Sequence, residues 1–176
     1  MKIEEFLEMC AGKWFSQRTS YHLDKTQVEN SKSEITIERL PSDSREVVAL
    51  CEQHNIDPSA TLGGTKASWD NSVDWGKTKQ IGSAIVVVVP DSENPQVGQI
   101  LQTAGTLSTT PLSGRYVLGS DEALTLIVEE EKTYIEERLW FASSNLRLRT
   151  SSIKNTAGFS KMAFYSEIRK IPPKES

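Results

Sequence analysis

Ten strand-length segments, set apart by turn-forming residues at intervals of about 8 to 12 positions, fill most of this 176-residue sequence. They cover residues 13–22, 32–40, 65–72, 82–89, 98–105, 113–119, 123–130, 133–141, 145–153 and 161–171. The later links are short and carry turn chemistry: Pro90 to Pro95 (PDSENP), Pro111 with Gly114, Gly119-Ser120-Asp121, and Asn155 to Gly158. Short links favour antiparallel neighbours. Strands joined in this way leave two long unpaired edges unless the sheet closes on itself. The prediction is a mainly β protein, an antiparallel up-and-down barrel of ten strands rather than a sandwich.

Two short helices accompany the strands. In residues 1–11, Ile3, Phe6, Leu7 and Cys10 recur at helical spacing, with glutamates in the first turn where the helix dipole favours them. The second runs from Ser44, a suitable N-cap, to about His54, with Val47, Leu50 and Cys51 on one stripe and Pro58 soon after. It is expected to lie across one face of the sheet. Residues 84–89 (AIVVVV) are apolar on both faces, so one of them packs against a helix or a second protomer. The stretch TLSTTPLSG reads as a loop, and the tail 172–176 (PPKES) as loose. Nothing divides the chain, so residues 1–176 form a single domain.

Composition excludes several classes. An apolar fraction of 37% and a charged fraction of 25% are ordinary for a soluble domain, and the longest apolar run is only of strand length. No membrane span is expected. The start MKIEEFLEMC lacks the basic head and apolar core of a signal peptide, which predicts residence inside the cell. Cys10 and Cys51 have neither disulfide-framework nor zinc spacing, so both are read as free thiols and no metal is expected. A net charge of −4 offers no global attraction for nucleic acid. There is no GxSxG elbow and no phosphate-cradling glycine motif.

Strand parity then separates faces, because residues i and i+2 point the same way. In residues 12–22, Trp14, Ser16, Arg18, Ser20 and His22 oppose Phe15, Gln17, Thr19 and Tyr21. In residues 134–141, Tyr134, Glu136, Arg138 and Trp140 oppose Ile135, Glu137, Leu139 and Phe141. In residues 145–151, Arg147 and Arg149 stand side by side, opposed by Leu146 and Leu148. Faces that combine tryptophan, arginine and acid admit two readings. On the outside of a sheet such side chains stack and snorkel to water. Turned inward, they line a cavity whose indoles offer flat surfaces and whose arginines grip carboxylates, a site for a flat, conjugated, anionic molecule. His22 fits a hydrogen-bonded structural role as well as a ligand contact, and Glu136 fits a cross-strand ion pair with Arg18 or Arg149.

Four stretches carry a further signal: EEFLEMCAGKWFSQRTSYHL, ASWDNSVDWG, ERLWFASSNLRLRTS and FYSEIRKI, in this order. Gly12-Lys13-Trp14 is similar to the GxW opening of lipocalins and other calycins. The whole set resembles the S/U-type phycobiliprotein chromophore lyases of cyanobacteria and red-algal plastids, over essentially the full chain. The resemblance implies a calycin-like ten-stranded barrel that joins an open-chain tetrapyrrole (a bilin, phycocyanobilin or phycoerythrobilin) to a cysteine of a phycobiliprotein subunit through a thioether. The bilin is then substrate rather than prosthetic group. The implied setting is the cyanobacterial cytoplasm or the plastid stroma, with a phycocyanin, allophycocyanin or phycoerythrin apoprotein as acceptor.

By the same resemblance, Arg18 and Arg149 bind the bilin, with Arg147 beside them facing its propionates, while His22 and Trp75 influence the bound pigment and Trp69 accompanies them. Glu136 is assigned the catalytic carboxylate that favours protonated pyrrole nitrogens and so a more electrophilic pigment. Two other functions remain: a carrier for a bilin or another hydrophobic acid, and an accessory subunit of a heteromeric lyase. Homodimer and heterodimer both stay open.

Overall fold

The computed structural model describes residues 1–103 and 112–171, in which ten antiparallel strands close into a barrel. The strands are β1 (Gly12–His22), β2 (Gln27–Leu40), β3 (Gly64–Asp70), β4 (Ile81–Pro90), β5 (Val97–Gln102), β6 (Leu112–Leu118), β7 (Leu124–Glu130), β8 (Thr133–Ser143), β9 (Leu146–Asn155) and β10 (Gly158–Arg169). Every strand pairs with its sequence neighbours, and β1 closes the ring against β10 over nine register pairs, from Trp14 with Arg169 to His22 with Lys161. Among the described residues no edge strand remains, the outcome that ten linked strands required. Most of the TLSTTPLSG loop and all of the 172–176 tail lie outside the described residues, as do residues 104 and 105 at the end of the fifth predicted strand.

The largest boundary difference is in β2, which begins five residues before the predicted segment. Its first five residues, QVENS, show no apolar alternation. Register explains this: Gln27, Glu29 and Ser31 pair with His22, Ser20 and Arg18, so their side chains enter a polar part of the barrel. A strand that is wet on both faces carries no hydrophobic period.

Helix α1 (Ile3–Cys10) closes one end of the barrel. Its buried Ile3, Phe6, Leu7 and Cys10 join Trp14, Ile35, Ile37, Ile100, Tyr116 and Leu139 in one apolar cluster. Phe6 meets Phe141 edge-on at 5.2 Å, and Trp14 Nε1 donates to the Cys10 carbonyl at 2.9 Å. The Arg169 guanidinium stacks 4.1 Å from the Trp14 ring and donates 2.7 Å bonds to the Ala11 and Met9 carbonyls. The last strand thereby satisfies helix-end carbonyls that would otherwise lack partners.

Helix α2 (Arg45–Gln53) lies on the outer wall. Val47, Leu50 and Cys51 pack on Ile85, Val87 and Leu101 of β4 and β5. This accounts for the two-sided apolar character of residues 84–89: Val88 faces the barrel core while Ile85 and Val87 meet the helix. Among the described residues no helix is long and apolar enough to cross a membrane.

Candidate functional site

With α1 sealing one end, the opposite end forms a cup, and strand register assigns the side chains of its wall. On β1 and β9 the arginine-bearing face is the inner one. Nearest the floor, one row runs Ser33, Ser16, Glu167, Arg147, Phe141 across β2, β1, β10, β9 and β8. The next row runs Ser31, Arg18, Tyr165, Arg149, Leu139. Above it come Glu29, Ser20, Ala163, Ser151 and Glu137, and at the mouth Gln27, His22, Lys161, Ile153 and Ile135.

Glu167 organises the lower rows. It is fully buried, accepts from Arg147 Nε at 2.6 Å and from Arg149 at 3.3 Å, and has Ser16 Oγ at 3.4 Å. Burial acts against its charge, but Arg149 and then Arg147 outweigh that and hold the carboxyl below the usual glutamate range. Arg149 is held on three sides: by Glu167, by Glu137 at 3.6 Å, and by the Tyr165 ring 3.7 Å from its guanidinium carbon. Burial works against its positive charge, yet Glu137 and then Glu167 more than offset it, and its pKa lies above the ordinary arginine value. Its Nε is buried without a partner, as are Arg18 Nε and Ser20 Oγ on the same wall. Buried polar atoms are nearly always paired, so these three donors are left with unmet hydrogen-bonding capacity on one wall.

Nearer the mouth, Glu29 stands 3.9 Å from Arg18 and 3.4 Å from His22 Nε2. Trp69 faces inward between Ile35 and Gly82. A Cβ at Gly82 would meet the indole at 2.5 Å, so glycine there makes room for the ring.

The structure thus brings Arg18, His22, Trp69, Arg147 and Arg149 into one barrel interior, and three of the expected placements change. Arg147 is only 4% exposed, engaged by Glu167 and 5.1 Å from the Trp14 ring, so it braces the floor of the cup instead of lining its open half. Trp75 sits on the 71–80 loop at the mouth end and is 91% exposed, its loop fixed to β2 by Asp74 accepting from Lys32 N. Glu136 points outward. It accepts a 2.6 Å bond from the Tyr134 hydroxyl, while Arg138 on the same face pairs with Asp121. On β8 the tryptophan, arginine and acid occupy the solvent side, where such side chains snorkel. The pairing of Leu139 with Arg149 turns Glu137 inward in place of Glu136.

Sequence reasoning also missed Glu167, Tyr165 and Lys161, although parity in residues 161–169 places all three on one face with Arg169. Cys10 and Cys51 are buried free thiols whose burial pushes their pKa up, which disfavours a nucleophilic thiolate.

A ring of ten strands stoppered by a helix, with guanidiniums, carboxylates and an indole around its open half, defines a calycin-like barrel with a charged cup. The chain belongs to the CpeS-like protein family, whose model matches residues 2–170. It is 48% identical over 169 residues to a chromophore lyase CpcS/CpeS of Thermosynechococcus vestitus, covering 96% of this chain and 93% of that protein. A phycocyanobilin lyase subunit CpcS of Picosynechococcus is 35% identical, with 94% of this chain and 85% of the relative covered. Among solved structures, the S-type phycobiliprotein lyase CPES from Guillardia theta superposes with a TM-score of 0.84 at 28% identity, over 98% of this chain and 95% of that one.

Proposed function

We propose that this chain is a chromophore lyase that binds an open-chain tetrapyrrole in its cup and attaches it to a cysteine of a phycobiliprotein subunit. One observation carries the reading beyond the family names: Arg18 and Arg149 share a row of the inner wall with β10 between their strands, each with an unpartnered buried Nε. Two strand spacings separate them by about 10 Å, a span suited to two propionates on neighbouring pyrroles.

The chemistry is an addition. The acceptor's sulfur bonds to the ethylidene carbon of the bilin's A ring and the thiol hydrogen ends on that ring, so no oxidant or reductant is consumed. The nucleophile belongs to the acceptor, consistent with the inert thiols of this chain. Arg149 receives a propionate, and Glu137 is the partner it displaces, since its 3.6 Å contact is looser than that of Glu167. Glu137, released into the cup, hydrogen-bonds the pyrrole nitrogens and favours their protonated, more electrophilic form. This is the role that sequence reading gave to Glu136. Trp69 offers a flat face to the pigment, and the exposed Trp75 stands where the acceptor subunit docks. Fixed orientation inside the cup supplies much of the rate and the stereochemistry.

The pigment is phycocyanobilin or phycoerythrobilin, and the acceptor a phycocyanin, allophycocyanin or phycoerythrin apoprotein, in the cytoplasm or plastid stroma where these are assembled. The word subunit in the name of the Picosynechococcus relative supports assembly with a second related chain, as a homodimer or heterodimer.

The test mixes purified protein, phycocyanobilin and an apo-phycobiliprotein subunit, then denatures in acid. Colour that stays on the acceptor, and only when this chain is present, is the expected result. Colour that washes away makes the protein a carrier.

A further inference from the structure

The charges inside the cup are not balanced evenly along its depth. Toward the floor, Arg147 and Arg149 face Glu167 and Glu137, two cations against two carboxylates. Toward the mouth, Arg18 and Lys161 have Glu29 as their counter-charge, and His22 leans on the same carboxylate. Lys161 is half-buried and sits beside His22 in register, so its side chain enters the cup. Among the described residues no carboxylate is within salt-bridge distance of its ammonium. Arg18 Nε and Ser20 Oγ, on the adjoining strand, are buried donors without acceptors. Ser20 pairs with Ala163, two residues along β10 from Lys161. Three donors stand on neighbouring rows of this wall, with Lys161 near enough to Arg18 to be repelled by it and too little negative charge to satisfy them, an arrangement that an incoming carboxylate completes.

We propose that Lys161 is a ligand-binding residue, forming with Arg18 an outer carboxylate site at the mouth that takes one of the bilin's two propionates while Arg149 takes the other. This rests on the bilin-binding reading above and adds a residue and a division of labour to it. It also explains why the cup needs more than its arginine pair: Arg149 is already compensated by two carboxylates, whereas the Arg18–Lys161 side carries the unmet positive charge.

A dependence on pH follows. Burial, then repulsion by Arg18, draws the Lys161 ammonium below the usual lysine range, and Glu29 acts in the opposite direction. The groups facing it are Arg18 and His22 on β1 and Glu29 on β2, while β9 presents Ser151 and Ile153, which do not titrate. A bound carboxylate raises the Lys161 pKa again. Affinity is therefore full at lower pH, where Lys161 is charged in the free protein, and weakens as pH rises through its depressed range.

The experiment titrates phycocyanobilin and its dimethyl ester into wild type, K161M and K161R, following visible absorption from about pH 6 to about pH 10, across the lysine range. Wild type should prefer the free acid, and that preference should fade as pH rises. K161M should lose about tenfold in affinity for the acid, the scale of one charge-assisted contact, little for the ester, and its pH dependence. K161R should keep the affinity and lose the pH dependence, since arginine stays charged. Wild-type acid-to-ester preference in K161M, or an unchanged pH profile in K161R, would overturn the assignment. If K161M melts early, the K161R profile alone decides. Failure of wild type to take up either pigment would instead sink the bilin reading, and this site with it.

Discussion

Glu167 holds Arg149 at 3.3 Å from beneath the cup while the Tyr165 ring supports the same guanidinium at 3.7 Å, so the arginine is set in place before any ligand arrives. The carboxylate that does this also binds Arg147 at 2.6 Å and has no exposure to solvent. Substitution by glutamine leaves two guanidiniums without their buried counter-charge. Glu167→Gln should cost about 3–5 kcal/mol, the range for breaking one side of a buried ion pair, read as a fall in denaturant midpoint. The folded carboxyl lies below its unfolded value, so its contribution is present at neutral pH and lost as pH falls through the depressed range. The gap between wild type and variant should accordingly narrow below about pH 4.

Arg147 and Arg149 are two residues apart, and their substitutions should separate. Arg149→Gln should retain the fold and lose about ten- to a hundredfold in phycocyanobilin affinity, the worth of a hydrogen-bonded charge contact. Arg147→Met should act chiefly on stability, because that guanidinium is buried between Glu167 and Trp14. Thermal melting and pigment titration on the two variants distinguish these outcomes. An Arg147 variant that melts normally but binds no pigment would reverse the assignment.

Neighbouring glutamates on β8 provide a second contrast. Glu137→Gln should shift the absorption of bound bilin and slow transfer, since Glu137 faces the cup beside Arg149. Glu136→Gln should leave spectrum and rate alone, its carboxylate being engaged by the Tyr134 hydroxyl on the outer face. Absorption spectra of the two complexes at equal pigment loading check this, and the opposite ranking would restore Glu136 to the mechanism.

At the floor, Arg169→Ala removes the stack on Trp14 and two bonds to helix-end carbonyls. A loss of about 2–4 kcal/mol is expected from the combined cation–π and hydrogen-bond terms. Hydrogen exchange should show faster opening of α1 than of the strands. Uniform exchange across the molecule would mean that the helix is not anchored there.

The barrel was legible because ten short-linked strands have few other ways to hide their edges, and α1 and α2 because their apolar stripes are helical in period. The cup was legible only in part. Parity put Trp14, Arg18 and His22 on one face and Arg147 with Arg149 on one face, but parity does not say which face is inside. On β8 a tryptophan and an arginine share a face as they do on β1, yet that face meets water, and only the register of Leu139 against Arg149 reveals this. The depth of Arg147 was equally hidden, since it depends on Glu167, twenty residues away in sequence. Lys161 and Tyr165 could have been found by extending the same alternation to the last strand.

The most direct test is the structure of the protein with phycocyanobilin bound. The account predicts the pigment inside the barrel, its rings against Trp69, one carboxylate at Arg149 and the other between Arg18 and Lys161. Pigment lodged on the outer wall, in the groove bounded by Gln17, Thr19, Lys32 and Asp74, with the inner arginines still paired only to glutamates, would contradict it.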